Sequence, residues 1–232
     1  MDFAPTDAHC HIGGADSKTD AAVCAICKEQ WQILADARGE KIKKVFGLFL
    51  GEAINHSDAQ IKADAQLLAK YLGGADAVGE FGFDKRFAPV LPFYRQEKIF
   101  DLHLALCADF SLPCVLHCVG AWGFLLKKMR GSKKRFGVGK FLLHSASCPP
   151  EMAREFESLG AYFSFSMREL KSKNGVAAAK AASEGRIMLE SDDVPSAALY
   201  AEEAARLAEI RNISPEELSI AVNKNYFDFY SK

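Results

Sequence analysis

Asp7-Ala8-His9-Cys10-His11 is the stretch on which the fold turns. Side chains alternate faces along a strand, so His9 and His11 project to one side and Cys10 to the other. The apolar residues at 3–8 read as a strand, which places two imidazoles at its C-terminal end. Alone, such a pair suits an incidental core sequence as well as a metal site. Its meaning depends on what the other strands end in.

The same arrangement recurs along the chain. Glu80 follows Ala77-Val78-Gly79, His117 follows Pro113-Cys114-Val115-Leu116, His144 follows Phe141-Leu142-Leu143, and Asp192 closes the run from Ile187 to Ser191. Short apolar runs predict eight strands near 3–8, 21–26, 45–50, 77–81, 114–118, 141–144, 161–165 and 187–190. Helical spacing falls between and after them, at 30–37, 58–72, 94–110, 121–129, 149–159, 175–183 and 197–210. A last helix starts at Pro215 behind the N-cap Ser214 and is expected to end near Asn223. Strand and helix in alternation predict an α/β fold, a compact (β/α)8 TIM barrel. Only nine residues separate His11 from Ala21, too few for a helix with two loops, so the first crossover is abbreviated.

Barrel enzymes build their sites at the C-terminal ends of the strands, so His9, His11, Glu80, His117, His144 and Asp192 converge on one rim. Each has a plain structural explanation alone, a helix-capping carboxylate or a hydrogen-bonded core histidine. Six at matching positions do not. Burying them without partners costs several kcal/mol, and one or two divalent ions would pair them together. His56 and His103 lie on loop or helix and read as structural or solvated.

Composition narrows the remaining classes. The chain has 232 residues, 49% of them apolar, which supports one domain over 1–232 with a substantial core. Its 29 basic and 30 acidic residues give a net charge of -1, so no global field draws it to nucleic acid or a membrane. A start without a charged apolar leader, and no apolar run of the ~20 residues that span a bilayer, give an expected soluble, cytoplasmic protein with no membrane partner. Seven scattered cysteines predict reduced thiols, and Cys24-Ala25-Ile26-Cys27 reads as core rather than as a redox or zinc pair. Cys10 and Cys118 alternate away from the neighbouring histidines. No glycine-rich nucleotide loop is present; Gly13-Gly14 and Gly73-Gly74 read as turns.

The ordered motifs resemble the TatD-type metal-dependent deoxyribonucleases of the amidohydrolase-like barrels. The resemblance runs through Asp7–His11, Val78-Gly79-Glu80-Phe81-Gly82-Phe83-Asp84, the stretch from Gln96 to His117 with Leu112-Pro113, and His144-Ser145-Ala146-Ser147. It continues through Tyr162-Phe163-Ser164-Phe165-Ser166 and Met188 to Pro195, with Asn223 and Phe227 near the end. It implies that His9, His11 and Asp192 bind one ion and that Glu80 bridges to a second held by His117 and His144. Glu80 and Asp192 are then the catalytic carboxylates, Asp192 accepting the proton of a water that attacks phosphorus or carbonyl carbon. Zinc, manganese or iron suits four imidazoles better than magnesium does.

Two positions depart from the family pattern. Val119 stands where an arginine suited to gripping phosphate usually follows the fifth strand's histidine, and the run from Val45 to Gly51 lacks the family's glycine-histidine-proline signature. The basic run from Lys127 to Arg135 falls on the barrel face opposite the rim and reads as a solvated helix end. Lys85, Arg86 and Arg168 are the cations expected at the rim. The sequence thus points to a metal-dependent phosphoester hydrolase whose rim takes DNA or a small phosphoester, with no obligate protein partner. An amidohydrolase or esterase on a small molecule or aminoacyl ester is the alternative, and a catalytically weak metal-binding scaffold a third.

Overall fold

The computed structural model describes residues 5–13, 19–192 and 197–231, leaving the start of the first expected strand and Asp193 to Pro195 outside the described residues. Eight parallel strands form one sheet in sequence order: β1 (Thr6–His11), β2 (Asp20–Ala25), β3 (Ile42–Phe46), β4 (Ala77–Asp84), β5 (Cys114–Val119), β6 (Phe141–Leu143), β7 (Ala161–Phe165) and β8 (Ile187–Leu189). The helices are α1 (Lys28–Asp36), α2 (Asp58–Leu68), α3 (Phe93–Phe110), α4 (Trp122–Phe136), α5 (Pro150–Ser158), α6 (Met167–Lys171), α7 (Lys173–Ala181), α8 (Ala197–Arg211) and α9 (Pro215–Tyr230). This is the (β/α)8 barrel expected from the alternation, with the first crossover reduced to residues 12–19. The seam between β8 and β1 is sewn by Asp192 N donating to His9 O at 3.1 Å and by Ser191 N donating to Asp7 Oδ1 at 3.1 Å.

Two irregularities decide which side chains face inward. The β1–β2 register sets Asp7 against Ala21 and Cys10 against Val23, so Ala8 and His9 together oppose Ala22. The β4–β5 register sets Val78 against Cys114 and Phe81 against Leu116, so Gly79 and Glu80 together oppose Val115. Each is a bulge, two residues facing one, and each re-aims the residue that follows. Strict alternation from Ala77, which lines the barrel interior, would turn Glu80 outward; the bulge turns it in and sends Phe81 into the outer core. Glycines make the approach possible: a Cβ on Gly79 would lie 2.6 Å from Val115 O, and one on Gly82 would lie 1.8 Å from His117 O.

The lower interior is filled by Ala8, Ala22, Cys24, Val45, Ala77, Val115, Leu142, Tyr162 and Met188, against which Tyr226, Phe229 and Tyr230 pack. Those three aromatics share one face of α9 at i, i+3 and i+4 spacing. Burying them extends α9 to Tyr230, well past the expected end near Asn223. Tyr230 OH donates to Ala8 O at 2.8 Å, and Thr6 Oγ1 donates to Asn223 Oδ1 at 2.8 Å. Asn223 therefore ties the last helix to the first strand.

Other boundaries shift for local reasons. Strand β4 runs on to Asp84, so Glu80 sits within the strand rather than at its end. The basic run lies inside α4, which continues until Gly137 takes a left-handed conformation with φ 69°. An unexpected helix, α6, precedes α7: Ser166 and Glu169 cap it reciprocally, and Ser172 both ends it and caps the next. All seven cysteines are free thiols.

His103 on α3 is a structural histidine, as expected from its position. It is buried, stacks on Phe81 with centroids 4.7 Å apart, donates from Nδ1 to Ile99 O at 2.8 Å and accepts Leu48 N–H on Nε2 at 3.0 Å. Burial pushes its pKa down to about 4, the Ile99 bond only partly opposing. Between roughly pH 6.5 and that value the unfolded chain binds a proton that the folded one refuses, so stability falls as pH falls through this window, by roughly 3 kcal/mol when complete. Thermal melts from pH 7 to 4 are expected to show a shallower decline for His103→Gln than for the wild type. Parallel declines would contradict the assignment.

Candidate metal centre

At the C-terminal mouth the barrel brings all six sequence-predicted residues together around Glu80. Its Oε2 lies 3.0 Å from His9 Nε2 and 3.6 Å from His11 Nε2. Its Oε1 lies 3.1 Å from His117 Nδ1 and 3.6 Å from His144 Nε2. One carboxylate thus stands between two pairs of imidazoles. Asp192 Oδ1 approaches from above, 3.7 Å from His9 Nε2, 4.0 Å from His11 Nε2 and 3.6 Å from His144 Nδ1. Asp192 has φ 58°, a left-handed conformation that aspartate tolerates better than most side chains.

These groups are buried or half-buried, yet several of their polar atoms lack a hydrogen bond: His9 Nδ1 and Nε2, His11 Nδ1, His144 Nδ1 and Glu80 Oε2. His9 Nε2 and Glu80 Oε2 are at hydrogen-bond distance without hydrogen-bond geometry, as expected of atoms aimed at a common point between them. Buried polar atoms left so cost about 1–3 kcal/mol each. His9, His11 and Glu80, His9, His144 and Asp192, and Glu80, His117 and His144 each present ligand atoms within 4.8 Å of one another, so each group could hold a metal ion.

The field inside the cluster favours positive charge. Burial would raise the Glu80 carboxyl, but the charge of His144 and hydrogen bonds from the imidazoles hold it well below the usual carboxylate range. Burial would depress His144, but Glu80 and Glu190 raise it well above the ordinary imidazole value. His117 is likewise raised against burial by Asp84 and Glu80. Carboxylates that draw protons onto imidazoles would equally draw a cation.

A second layer holds the first in place. Asp84 Oδ2 lies 3.0 Å from His117 Nε2, which leaves Nδ1 facing Glu80. Glu190, fully buried, accepts from Ser145 N at 2.6 Å, Ser145 Oγ at 2.9 Å and Ser164 Oγ at 2.5 Å, and lies 3.8 Å from His144 Nδ1. Burial opposes its ionisation, but His144, with His9 and the Ser164 hydrogen bond, holds its carboxyl below the usual carboxylate range. Asp7 Oδ1 also accepts His9 N at 3.1 Å. The sequence reading assigned no role to Asp84, Glu190 or Ser145. Alternation would have found Glu190, two residues beyond the inward Met188 and two before Asp192.

The site opens into a cavity of about 460 Å³ lined in part by His11, His117, Val119, His144, Arg168 and Asp192. Arg168 reaches into it, donating from Nη2 to Ser145 Oγ at 2.7 Å and Asp192 Oδ2 at 3.0 Å. Arg86 also lines it, while Lys85 does not. His56 stays apart, paired with Asp64 at 2.8 Å.

A (β/α)8 barrel with imidazoles and carboxylates gathered at its C-terminal mouth has the layout of a metal-dependent hydrolase. The TatD related DNase family profile matches residues 6–231, and the chain belongs to that family. No curated protein sequence matches it. Among solved structures, the TatD homologue YJJV of Escherichia coli K12 superposes with TM-score 0.82 at 20% identity, covering 99% of this chain and 98% of that one. A TatD-family hydrolase of Entamoeba histolytica gives TM-score 0.76 at 15% identity, covering 93% and 86%. The phosphotriesterase homology protein of Escherichia coli, solved with phosphate in its active site, gives 0.64 at 13% identity, covering 98% and 99%. No helix among the described residues is long and apolar enough to cross a membrane.

A ligand that binds only the folded state stabilises it, by about 2.7 kcal/mol at a hundredfold excess over Kd. Manganese or zinc added to chelator-treated protein is therefore expected to raise the melting temperature, and Glu80→Gln to abolish the rise. A shift of equal size in Glu80→Gln would remove Glu80 from the site.

Proposed function

We propose that this chain is a metal-dependent hydrolase that cleaves phosphodiester bonds in DNA, with one or two divalent ions held by His9, His11, Glu80, His117, His144 and Asp192. The observation that carries this reading is Glu80, whose two oxygens each face a separate pair of imidazole nitrogens. Glu80 would hold one ion with His9 and His11 and could share a second with His117 and His144. Mixed nitrogen and oxygen donors suit zinc, manganese or iron; magnesium prefers oxygen alone. An ion held there supplies Lewis acidity, polarising the scissile group and lowering the pKa of water.

The chain's own residues supply the rest. Glu80 and the four histidines fix the centre. Asp192 divides its oxygens, Oδ1 toward the imidazoles and Oδ2 toward Ser145 and Arg168 at the cavity, where it can accept the proton of the attacking water. Asp84 and Glu190 orient His117 and the Ser145–His144 turn. DNA would approach along the C-terminal rim.

One observation favours the alternative of a small ester or amide. Val119 lines the cavity where the family pattern expects an arginine, and a cavity of about 460 Å³ is of small-molecule size. End-labelled single- and double-stranded DNA incubated with metal-stripped protein, resupplied with magnesium, manganese or zinc, separates the two. Cleavage is expected only with added metal, and Asp192→Asn should lower its rate by about 10²-fold or more. Intact DNA alongside metal-dependent hydrolysis of carboxylic esters would replace the nuclease reading with the alternative.

A further inference from the structure

Two guanidiniums line the same cavity as the candidate metal centre, one from the first turn of α6 and one from the turn after β4. Arg168 follows β7 and Arg86 follows β4. Arg168 is anchored through Nε to the buried carboxylate of Glu169 at 2.7 Å, while its Nη2 rests on Ser145 and Asp192. Its side chain is 66% exposed, so a ligand in the cavity can reach the guanidinium. Arg86 is fixed: Nε and Nη2 fork onto Asp84 at 3.0 and 2.6 Å, and Asp84 is the residue that holds His117. The two cations are near enough for Arg168 to oppose the charge on Arg86.

Charge at the mouth gives this pair a use. The lining carries three carboxylates, Glu80, Glu169 and Asp192, against two arginines, Arg86 and Arg168. With neutral imidazoles that lining carries one net negative charge, and the carboxylates directly behind it, Asp84 on Arg86 and Glu190 beside His144, add two more. A site loaded with two divalent ions is then cationic, with the two guanidiniums at its entrance. β5 contributes Val119 there and no cation.

We propose that Arg168 is the specificity-determining residue of the site, which, with Arg86 supporting it, selects substrates that present a phosphoryl group. This rests on the reading of the site as a hydrolytic metal centre. A guanidinium offers planar paired donors that match two phosphoryl oxygens, whereas a neutral ester gives it no charge to meet. In the present arrangement Nη2 occupies Asp192 Oδ2, the oxygen facing the cavity. Moving Nη2 onto a phosphoryl oxygen transfers its hydrogen bond from one anion to another and leaves Asp192 Oδ2 with the longer contact to Ser145 Oγ at 3.3 Å, open to accept the water's proton. Binding of the right substrate thus uncovers the base.

The test is calorimetric titration of inorganic phosphate into manganese-loaded wild type, Arg168→Met and Arg168→Lys, with bound metal measured per chain. Arg168→Met is expected to bind phosphate at least about tenfold more weakly at unchanged metal content, a loss of about 1.4 kcal/mol, with Arg168→Lys between. Equal affinity in Arg168→Met overturns the inference while leaving the hydrolase reading intact. Loss of metal from Arg168→Met also overturns it, making Arg168 a positioning residue for Asp192. A wild type that takes up no manganese removes the underlying reading and the inference with it.

Discussion

A carboxylate turned inward against the alternation of its own strand sets the terms for everything at the mouth of this barrel. Every residue of β4 is buried, so an outward Glu80 would take the place of Phe81 against Phe100 in the outer core, where burying an ionised side chain is costly. The bulge at Gly79-Glu80 directs it instead to the one place where four imidazole nitrogens are within reach. The bulge in β1 does the same for His9, turning it, and His11 after it, to the interior side that Ala8 also occupies. Backbone irregularity in two strands, rather than an unusual loop, thus assembles the cluster.

The cluster is supported from below and from the side. Large aromatics of α9 pack against the lower interior of small and medium residues, and hydrogen bonds from Tyr230 and Thr6 join that helix to β1. Around the mouth, Asp84, Glu190 and Asp7 each bond to a backbone or side-chain group of a neighbouring strand end. Asp84 fixes the ring of His117 directly, while Asp7 and Glu190 hold the backbone at His9 and at Ser145, next to His144. Such an outer layer sets which ring nitrogen faces inward, and with it the direction of any bond to an ion.

Much of this was legible in the sequence, for identifiable reasons. Imidazole and carboxylate at successive strand ends announced the barrel and its six candidate ligands, because few other roles place these residue types behind apolar runs. The abbreviated crossover followed from chain length alone. The bulges were not legible: an extra residue in a strand leaves the hydrophobic pattern nearly unchanged, and only pairing with β5 reveals that Glu80 and Gly79 share a partner. The full extent of α9 is not legible because Asn223-Lys224-Asn225 looks like a polar end, whereas Tyr226, Phe229 and Tyr230 beyond it are held by the barrel. Glu190 was passed over beside the more conspicuous Asp192, although the two have the same parity.

The most direct measurement is an anomalous difference map from crystals grown with manganese, recorded at a wavelength where only that ion scatters anomalously. A bridging Glu80 predicts density beside its Oε2, within ligand distance of His9 and His11, with any second ion beside Oε1 near His117 and His144. An empty map at Glu80, with His9 and Glu80 joined by a direct hydrogen bond in manganese-containing crystals, would contradict it.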